Sequence, residues 1–376
     1  MKVLIVSGIW PPDVGGPATH APEVAVFLRG RGHEVEVVTT ADREPAPEAY
    51  PVHWVDRATT IGLRHARTAL LIRKRGALSD VLYTTGMFGR SAAGSLLAKR
   101  PYVVKLTADP AYERSRRRGF FSGSLEQFQR GGGGHRSAVL RTARDAELGH
   151  AAHVLCPSEY LCRLALGWGL PPERVSLLPN PMPAVPRLPD REVLRERLGL
   201  HGATLAFAGR LTRQKALDVA LEALGLSDRV SLVVAGEGDE RAALEHRAQA
   251  LGLGGRVRFL GPLPRERVLE LFSAADALLL SSAWENFPHT VVEALAVGTP
   301  VLATSAGGVG EVVEHERNGL LVEPGDADAL ARAMNRYFAD EGLRTRLREH
   351  AAPSVAEYAP GRVYGRLEEI LESAAG

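Results

Sequence analysis

The sequence predicts an α/β protein made of two doubly wound halves. Three observations carry that expectation. Apolar strand-like runs alternate with amphipathic helical stretches along most of the 376 residues, a rhythm that implies parallel pairing with right-handed crossovers. Proline becomes dense from Pro179 to Pro189, as in an interdomain linker, and divides the alternation into two blocks of similar size. Glycines and charged residues follow directly after several strand runs, at the carboxyl edge where open α/β sheets place their ligands.

Composition sets the outer limits. Hydrophobic residues make up 45% of the chain and the net charge is +2. Both halves can therefore bury a core, and no nucleic-acid partner is indicated. The two cysteines, Cys156 and Cys162, provide neither a disulfide framework nor a zinc ligand set. The apolar start Met1–Ser7 is followed by Trp10-Pro11-Pro12-Asp13 and reads as a buried first strand rather than a signal peptide. No apolar run approaches the ~20 residues that span a bilayer. A cytoplasmic protein is expected, with peripheral attachment at the inner face of the membrane open to it.

In the first half, strands are expected at Lys2–Ser7, Glu34–Thr39, Val52–Val55, Asp80–Thr84, Tyr102–Leu106 and His153–Pro157, with helices over Ala18–Arg31 and Leu63–Arg75. The second helix is basic, with Arg64, Arg67, Arg73, Lys74 and Arg75 at polar positions. From Arg114 to Arg144 the rhythm lapses. This stretch has eight arginines against one acid, Glu126, together with Phe120-Phe121 and four consecutive glycines. It reads either as a solvated mobile segment or as a surface for anionic lipid or phosphate. In the second half, strands are expected at Ala203–Ala208, Val230–Ala235, Val257–Leu260, Asp276–Leu280, Val301–Ala303 and Leu320–Val322. Helices fall between them, one beginning near Pro288, and a last amphipathic helix covers Arg362–Ser373. The implied domains are 1–183, 184–352 and a C-terminal helical segment 353–376 that could pack back on the first.

The chemistry-bearing residues gather in the second half. Glu285 and Glu293 flank the start of a helix after the Asp276–Leu280 run. Gly209-Arg210-Leu211-Thr212-Arg213-Gln214-Lys215 follows the Ala203–Ala208 run, so two cations and a helix start converge on one edge, a pattern suited to phosphate. Gly236-Glu237-Gly238, Gly261-Pro262-Leu263 and Gly307-Gly308 add glycine-bearing loops to that edge. Glycine there admits a close ligand or serves a tight turn. In the first half, Gly15-Gly16 precedes a helix, and Asp109 ends the Tyr102–Leu106 strand region, where it is either a cleft-facing acid or a cap before Pro110. Gly89-Arg90 to Gly94-Ser95 has P-loop glycine spacing without the lysine. Asp326 and Asp328 open a helix and read as capping residues.

These pieces resemble the retaining glycosyltransferase family 4, whose members have the GT-B fold: two Rossmann-like doubly wound domains facing a central cleft. The resemblance runs through nearly the whole chain. It is most specific at Glu285 to Glu293 with Ala294-Leu295-Ala296-Val297-Gly298-Thr299-Pro300, and is supported by Gly209-Arg210-Leu211 with Lys215, Gly236-Glu237-Gly238, Pro179-Asn180 and Gly15-Gly16. It implies transfer of a hexose-type sugar, with retention, from a nucleotide-diphospho-sugar to a glycan, lipid-linked or small-molecule acceptor. No metal and no cofactor are implied.

Under the resemblance, Arg210 and Lys215 hold the diphosphate and Glu293 accepts the ribose hydroxyls. Glu285 contacts the moving sugar, with backbone N–H groups near Asn286 and Phe287. Thr290 and Val291 offer N–H groups to phosphate, and the loop at Gly16 closes over it. Gly209, Gly236, Glu237 and Leu263 complete the expected donor site. Many relatives carry a cleft histidine in the first domain. The corresponding stretch Lys105–Pro110 has none, so Asp109 stands as the acceptor-side catalytic candidate beside Glu285, Arg210 and Lys215. Two other readings compete: a nucleotide-sugar 2-epimerase of the same fold, and a non-catalytic nucleotide-sugar-binding scaffold.

Overall fold

The computed structural model describes residues 1–13, 15–227 and 230–376. It divides into two compact units, Met1–Pro179 with Tyr364–Gly376, and Asn180–Val363.

Unit 1 contains β1 (Lys2–Ser7), α1 (Gly16–Gly30), β2 (Glu34–Ala41), β3 (Val52–Asp56), α2 (Ile61–Gly76), β4 (Val81–Thr84), α3 (Phe88–Ala98) and β5 (Tyr102–Lys105). It continues with α4 (Pro110–Arg117), α5 (Leu125–Gln129), α6 (Gly134–Gly149), β6 (His153–Cys156), α7 (Glu159–Gly167) and β7 (Val175–Leu177). The sheet is wholly parallel, in the order β3-β2-β1-β4-β5-β6-β7. Its central strands are apolar on both faces, as helices on both sides require: every residue of β4 and β5 is buried, Lys105 among them.

The arginine-rich stretch is not an irregular loop. It folds as α4, α5 and α6, which local signals start. Asp109 caps α4, and Ser124 with Gln127 forms a capping box on α5. Part of its charge is engaged inward. Arg114 pairs with Glu147 at 2.8 Å, Arg141 donates to the Gly132 carbonyl at 2.8 Å, and Arg144 is buried. Arg116, Arg117, Arg118, Arg130 and Arg136 stay exposed.

Unit 2 contains α8 (Arg191–Leu198), β8 (Ala203–Ala208), α9 (Leu217–Gly225), β9 (Val230–Ala235), α10 (Arg241–Ala250), β10 (Val257–Gly261), α11 (Arg265–Ala274) and β11 (Ala277–Leu280). There follow α12 (His289–Ala296), β12 (Val301–Thr304), β13 (Gly319–Val322), α13 (Ala327–Ala339) and α14 (Glu341–Ser354). Its parallel sheet has the order β10-β9-β8-β11-β12-β13. The order reverses between β8 and β11, so the loops after those strands open at a switch point, the usual ligand position of such sheets. Phe207, Leu232 and Leu279 face one packed layer; Ala206, Leu278, Leu280 and Val291 face the other.

Between β12 and β13, Gly307–Glu311 forms a 3-10 turn in place of one of the expected helices. Asp326 caps α13, its carboxylate accepting the Ala329 N–H at 2.7 Å. The last helix, α15 (Pro360–Ala375), belongs to unit 1 from Tyr364 onward. Tyr364 stacks near Phe27 and donates to Glu23 at 2.7 Å, while Glu368 receives His33 Nε2 at 2.7 Å and Arg31 Nε at 3.1 Å. His33, Glu368 and Glu372 bring potential ligand atoms within 4.8 Å of one another. With Arg31 already on Glu368, the group works as an ion-paired clasp. No described helix is long and apolar enough to cross a membrane.

Candidate active site

The carboxyl edge of unit 2 is assembled from loops that bond to one another. Gly209 N donates to Ala235 O at 3.0 Å, Gly236 N to Gly261 O at 2.8 Å, and Leu211 N to Glu237 O at 2.9 Å. This explains the glycines. A Cβ on Gly236 would lie 1.9 Å from Gly209 O, one on Gly238 2.2 Å from Leu211 O, and one on Gly307 2.0 Å from Glu285 O. Backbone meets backbone at these positions, so loop packing alone requires glycine there.

The loop after β8 ends in a 3-10 turn, Arg213–Lys215, and Ala216 then takes a left-handed φ of 44° before α9 begins. A non-glycine residue in that region carries strain that the surroundings must hold. Beside it, Lys215 Nζ lies 2.5 Å from Glu285 Oε1, although the two are 70 positions apart. Ser282 Oγ donates to the same oxygen at 2.6 Å, and the Glu285 carbonyl accepts from Gly308 N at 2.9 Å. Glu285 is 5% exposed. Its Oε2 has no hydrogen-bond donor among the described residues. One oxygen is thus fixed by a cation and a hydroxyl, and the other remains open to a donor.

The same carboxyl edge holds a cavity of about 380 Å³ whose walls include Gly209, Arg210, Gly236, Glu237, Leu263, Thr290 and Glu293, with Lys215 and Glu285 outside its lining. Arg210 is exposed, and its guanidinium has no partner among the described residues. Glu293 lies one turn into α12 with Arg265 Nε at 3.4 Å. Burial pushes the Glu293 carboxyl above its ordinary range, and Arg265 opposes the shift. A wall of small and apolar residues with one desolvated carboxylate, one free guanidinium and a helix start suits a ligand that has both hydroxyls and negative charge.

The remaining expected residues fall differently. Phe287 is packed in the core against Tyr358 and His289, and Val291 is fully buried. Val291 also donates its N–H to Pro288 O at 3.0 Å, so it has no N–H to offer phosphate, whereas Thr290 lines the cavity. Pro288 precedes α12 as its cap residue rather than opening it. Asn286 sits in the loop beside Glu285.

In unit 1, Gly16 is the first residue of α1, and a Cβ there would meet nothing within 4 Å. It is Gly15, at φ 154° with Ile9 Cδ1 2.9 Å from its ideal Cβ, that requires glycine.

Asp109 is corrected from catalytic candidate to structural anchor. Its side chain is fully buried, with Oδ1 accepting Ala111 N at 2.8 Å and Tyr112 N at 3.3 Å. Its Oδ2 accepts from Arg144 Nη1 and Gln129 Nε2, each at 2.8 Å. Arg144 in turn stacks on Trp168 at 4.0 Å, and Trp168 Nε1 donates to Gln129 Oε1 at 2.9 Å. Both carboxylate oxygens are saturated within a closed network.

Ser282 and Arg265 were not anticipated. Ser282 lies three residues before Glu285 and Arg265 opens α11 beyond the Gly261-Pro262-Leu263 loop. The same carboxyl-edge argument that selected Arg210 would have reached Arg265.

Comparison with known proteins covers both units. Residues 190–353 match the family described as Glycosyl transferases group 1, and residues 15–181 match the Glycosyl transferase 4-like domain. A D-inositol 3-phosphate glycosyltransferase of Xylanimonas cellulosilytica is 31% identical over 366 residues, covering 89% of this chain and 86% of that one. An uncharacterized glycosyltransferase of Methanocaldococcus jannaschii is 28% identical over 380 residues, covering 95% and 94%. Among solved structures, Anabaena HepE in complex with UDP superposes with a TM-score of 0.81 at 22% identity, covering 99% of this chain and 100% of that one.

Proposed function

The chain belongs to the group 1 glycosyl transferases, GT4-type enzymes of the GT-B fold, and from that premise we propose that it moves a hexose-type sugar from a nucleotide-diphospho-sugar to an acceptor with retention of configuration and without a metal ion. The observation that carries this reading is the Lys215–Glu285 pair on the same carboxyl edge as a cavity lined by Arg210 and Glu293. Departure of the nucleotide puts negative charge on the diphosphate. Arg210, Lys215 and the start of α12 are complementary to that charge, and fixed groups stabilise developing charge without reorganising. Glu293, desolvated and held among the described residues by Arg265, has lone pairs to accept the two ribose hydroxyls. The open Oε2 of Glu285 faces the sugar and favours the oxocarbenium character of the transition state. With no protein nucleophile assigned, the acceptor attacks from the side the diphosphate leaves, and a phosphate oxygen takes its proton.

Acceptors of the glycan, lipid-linked or small-molecule kind remain consistent with this chemistry. Peripheral contact with an anionic membrane is supported by the exposed Arg116, Arg117, Arg118, Arg130 and Arg136 of unit 1. Neutralising Arg116–Arg118 should abolish binding to anionic vesicles, and equal binding by both forms would remove the membrane from the proposal.

Incubation with a nucleotide-sugar tests the reaction class. A transferase leaves the donor sugar unepimerised and releases nucleoside diphosphate faster when acceptor is added. Epimerised donor in the absence of acceptor would contradict transfer. Activity unchanged by excess chelator is expected, and loss that divalent metal restores would contradict the metal-free reading.

A further inference from the structure

A second charged site lies within unit 1, and its assignment rests on the transferase reading above. Three neighbouring helices begin at the carboxyl edge of the unit 1 sheet, and each carries a cation in its first two turns: Arg64 and His65 on α2, Arg90 on α3 and Arg114 on α4. Small residues draw α3 to α2 and to α6, and α4 joins them through the pairing of its Arg114 with Glu147 of α6. A Cβ on Gly94 of α3 would lie 2.4 Å from Ile72 Cγ2 of α2, and one on Gly89 would lie 2.7 Å from Glu147 Oε1 of α6. The glycine pair with P-loop spacing therefore serves helix packing, and its consequence is to hold Arg90 among other cations.

The partners of these groups are unequal. Arg114 is engaged by Glu147 in a two-pronged pair at 3.0 and 2.8 Å. Arg64 donates to the Arg57 carbonyl at 2.6 Å. Arg90 is half-buried, and its guanidinium has neither a hydrogen bond nor an ion pair among the described residues. Burial, then the charges of Arg64 and Arg114, push it down to about 10, and His65 is lowered by burial and by the same three arginines. Glu147 is the carboxylate paired with Arg114.

An exposed arginine without a partner is simply hydrated. A half-buried one facing other cations is not, and the arrangement persists at a cost unless an anion relieves it. Cations presented from three helices fit an anion with several oxygens pointing in different directions. That is a phosphate rather than a single carboxylate, and arginine is the side chain best matched to it.

We propose that Arg90, with Arg64, His65 and Arg114 around it, binds a phosphate group of the acceptor, so that the acceptor is a phosphomonoester or diphosphate borne by a small polyol or by a lipid. Calorimetric titration of the full chain with inorganic phosphate and with glycerol 3-phosphate forms one arm of the test. Vesicles containing phosphatidic acid, compared with phosphatidylserine vesicles of equal negative charge, form the other. The parent in both arms carries Arg210→Ala, which weakens the diphosphate contacts of unit 2 through an exposed side chain. Arg90→Gln should weaken phosphate binding at least tenfold, Arg90→Lys should keep most of it, and the melting curve of each variant reports its fold. Saturable binding of the small phosphates identifies a soluble acceptor; binding confined to phosphatidic acid identifies a lipid. Equal affinity of Arg90→Gln and its parent in both arms, or no binding in either, overturns the proposal. In the otherwise wild-type chain, Arg90→Gln should bind nucleoside diphosphates unchanged; if the wild-type chain binds none, it is the transferase reading that fails.

Discussion

Lys215 Nζ meets Glu285 Oε1 at 2.5 Å in a pocket where Glu285 is 5% exposed. The pair joins the loop after β8 to the loop after β11, and Ser281 Oγ adds a bond to the Lys215 carbonyl at 2.9 Å. Removing one member of a buried pair leaves an uncompensated charge, which costs about 3–5 kcal/mol. Lys215→Ala strands the more buried carboxylate and should lower both stability and transfer, whereas Glu285→Gln keeps the shape and an amide oxygen for the more exposed lysine, and should lower transfer about 100-fold or more with a smaller loss of stability. Urea unfolding alongside donor turnover checks the split. Equal stability losses in the two variants would remove the distinction.

Gly236→Ala and Gly307→Ala should each destabilise by at least about 1–3 kcal/mol, because a methyl group is forced against backbone and the residue keeps a left-handed φ. Gly16→Ala should be neutral, within about 0.5 kcal/mol, since its Cβ meets open space. Denaturant midpoints of the three variants test the contrast.

Asp109→Asn breaks a buried pair with Arg144 and should cost about 3–5 kcal/mol of stability, while leaving nucleotide affinity unchanged. A variant with full stability and lost turnover would return Asp109 to the catalytic role that its buried, saturated carboxylate argues against.

Glu293 gives a pH signature. Burial raises its carboxyl above the ordinary 4.5 in the folded protein, so its neutral form is favoured. Its contribution to stability is complete below the unfolded value and is lost as pH rises through the folded one. Glu293→Gln removes that loss. The ligand-free variant should be more stable than wild type at neutral pH, and the advantage should shrink as pH falls through the raised folded value toward about 4.5, below which it is gone. Denaturation midpoints measured across that range would show it; a difference independent of pH would contradict it.

Most of the architecture was legible from the sequence because apolar runs and their spacing report sheet and helix periods directly. The two glutamates, Arg210 and Lys215 could be placed on one edge for the same reason. What was not legible depended on who meets whom. Asp109 precedes a proline at a strand end, so a cap and a cleft acid look identical until Arg144, 35 positions on, closes over it. Val291 looked available because helix starts have free N–H groups, but Pro288 turns a carbonyl onto it. The arginine-rich stretch looked irregular because its helices are short and strongly charged. Their stability comes from caps and from partners such as Glu147 outside the stretch. The glycines of the donor edge were ambiguous between ligand approach and loop packing, and loop packing suffices to require them.

In the proposed function, unit 2 holds a nucleotide-diphospho-sugar between Arg210, Lys215, Glu285 and Glu293. That binding is tested most directly by thermal shift with a panel of nucleoside diphosphates and their sugars, since a ligand that binds only the native state stabilises it by about 2.7 kcal/mol at 100 times its Kd. At least one nucleoside diphosphate should raise the wild-type Tm by several degrees. Glu293→Gln, folded and no less stable, should need about ten to a hundred times more ligand for the same shift, the worth of hydrogen bonds to a charged group. A panel in which no nucleotide stabilises the wild type, or in which Glu293→Gln responds at the same concentrations, would contradict it.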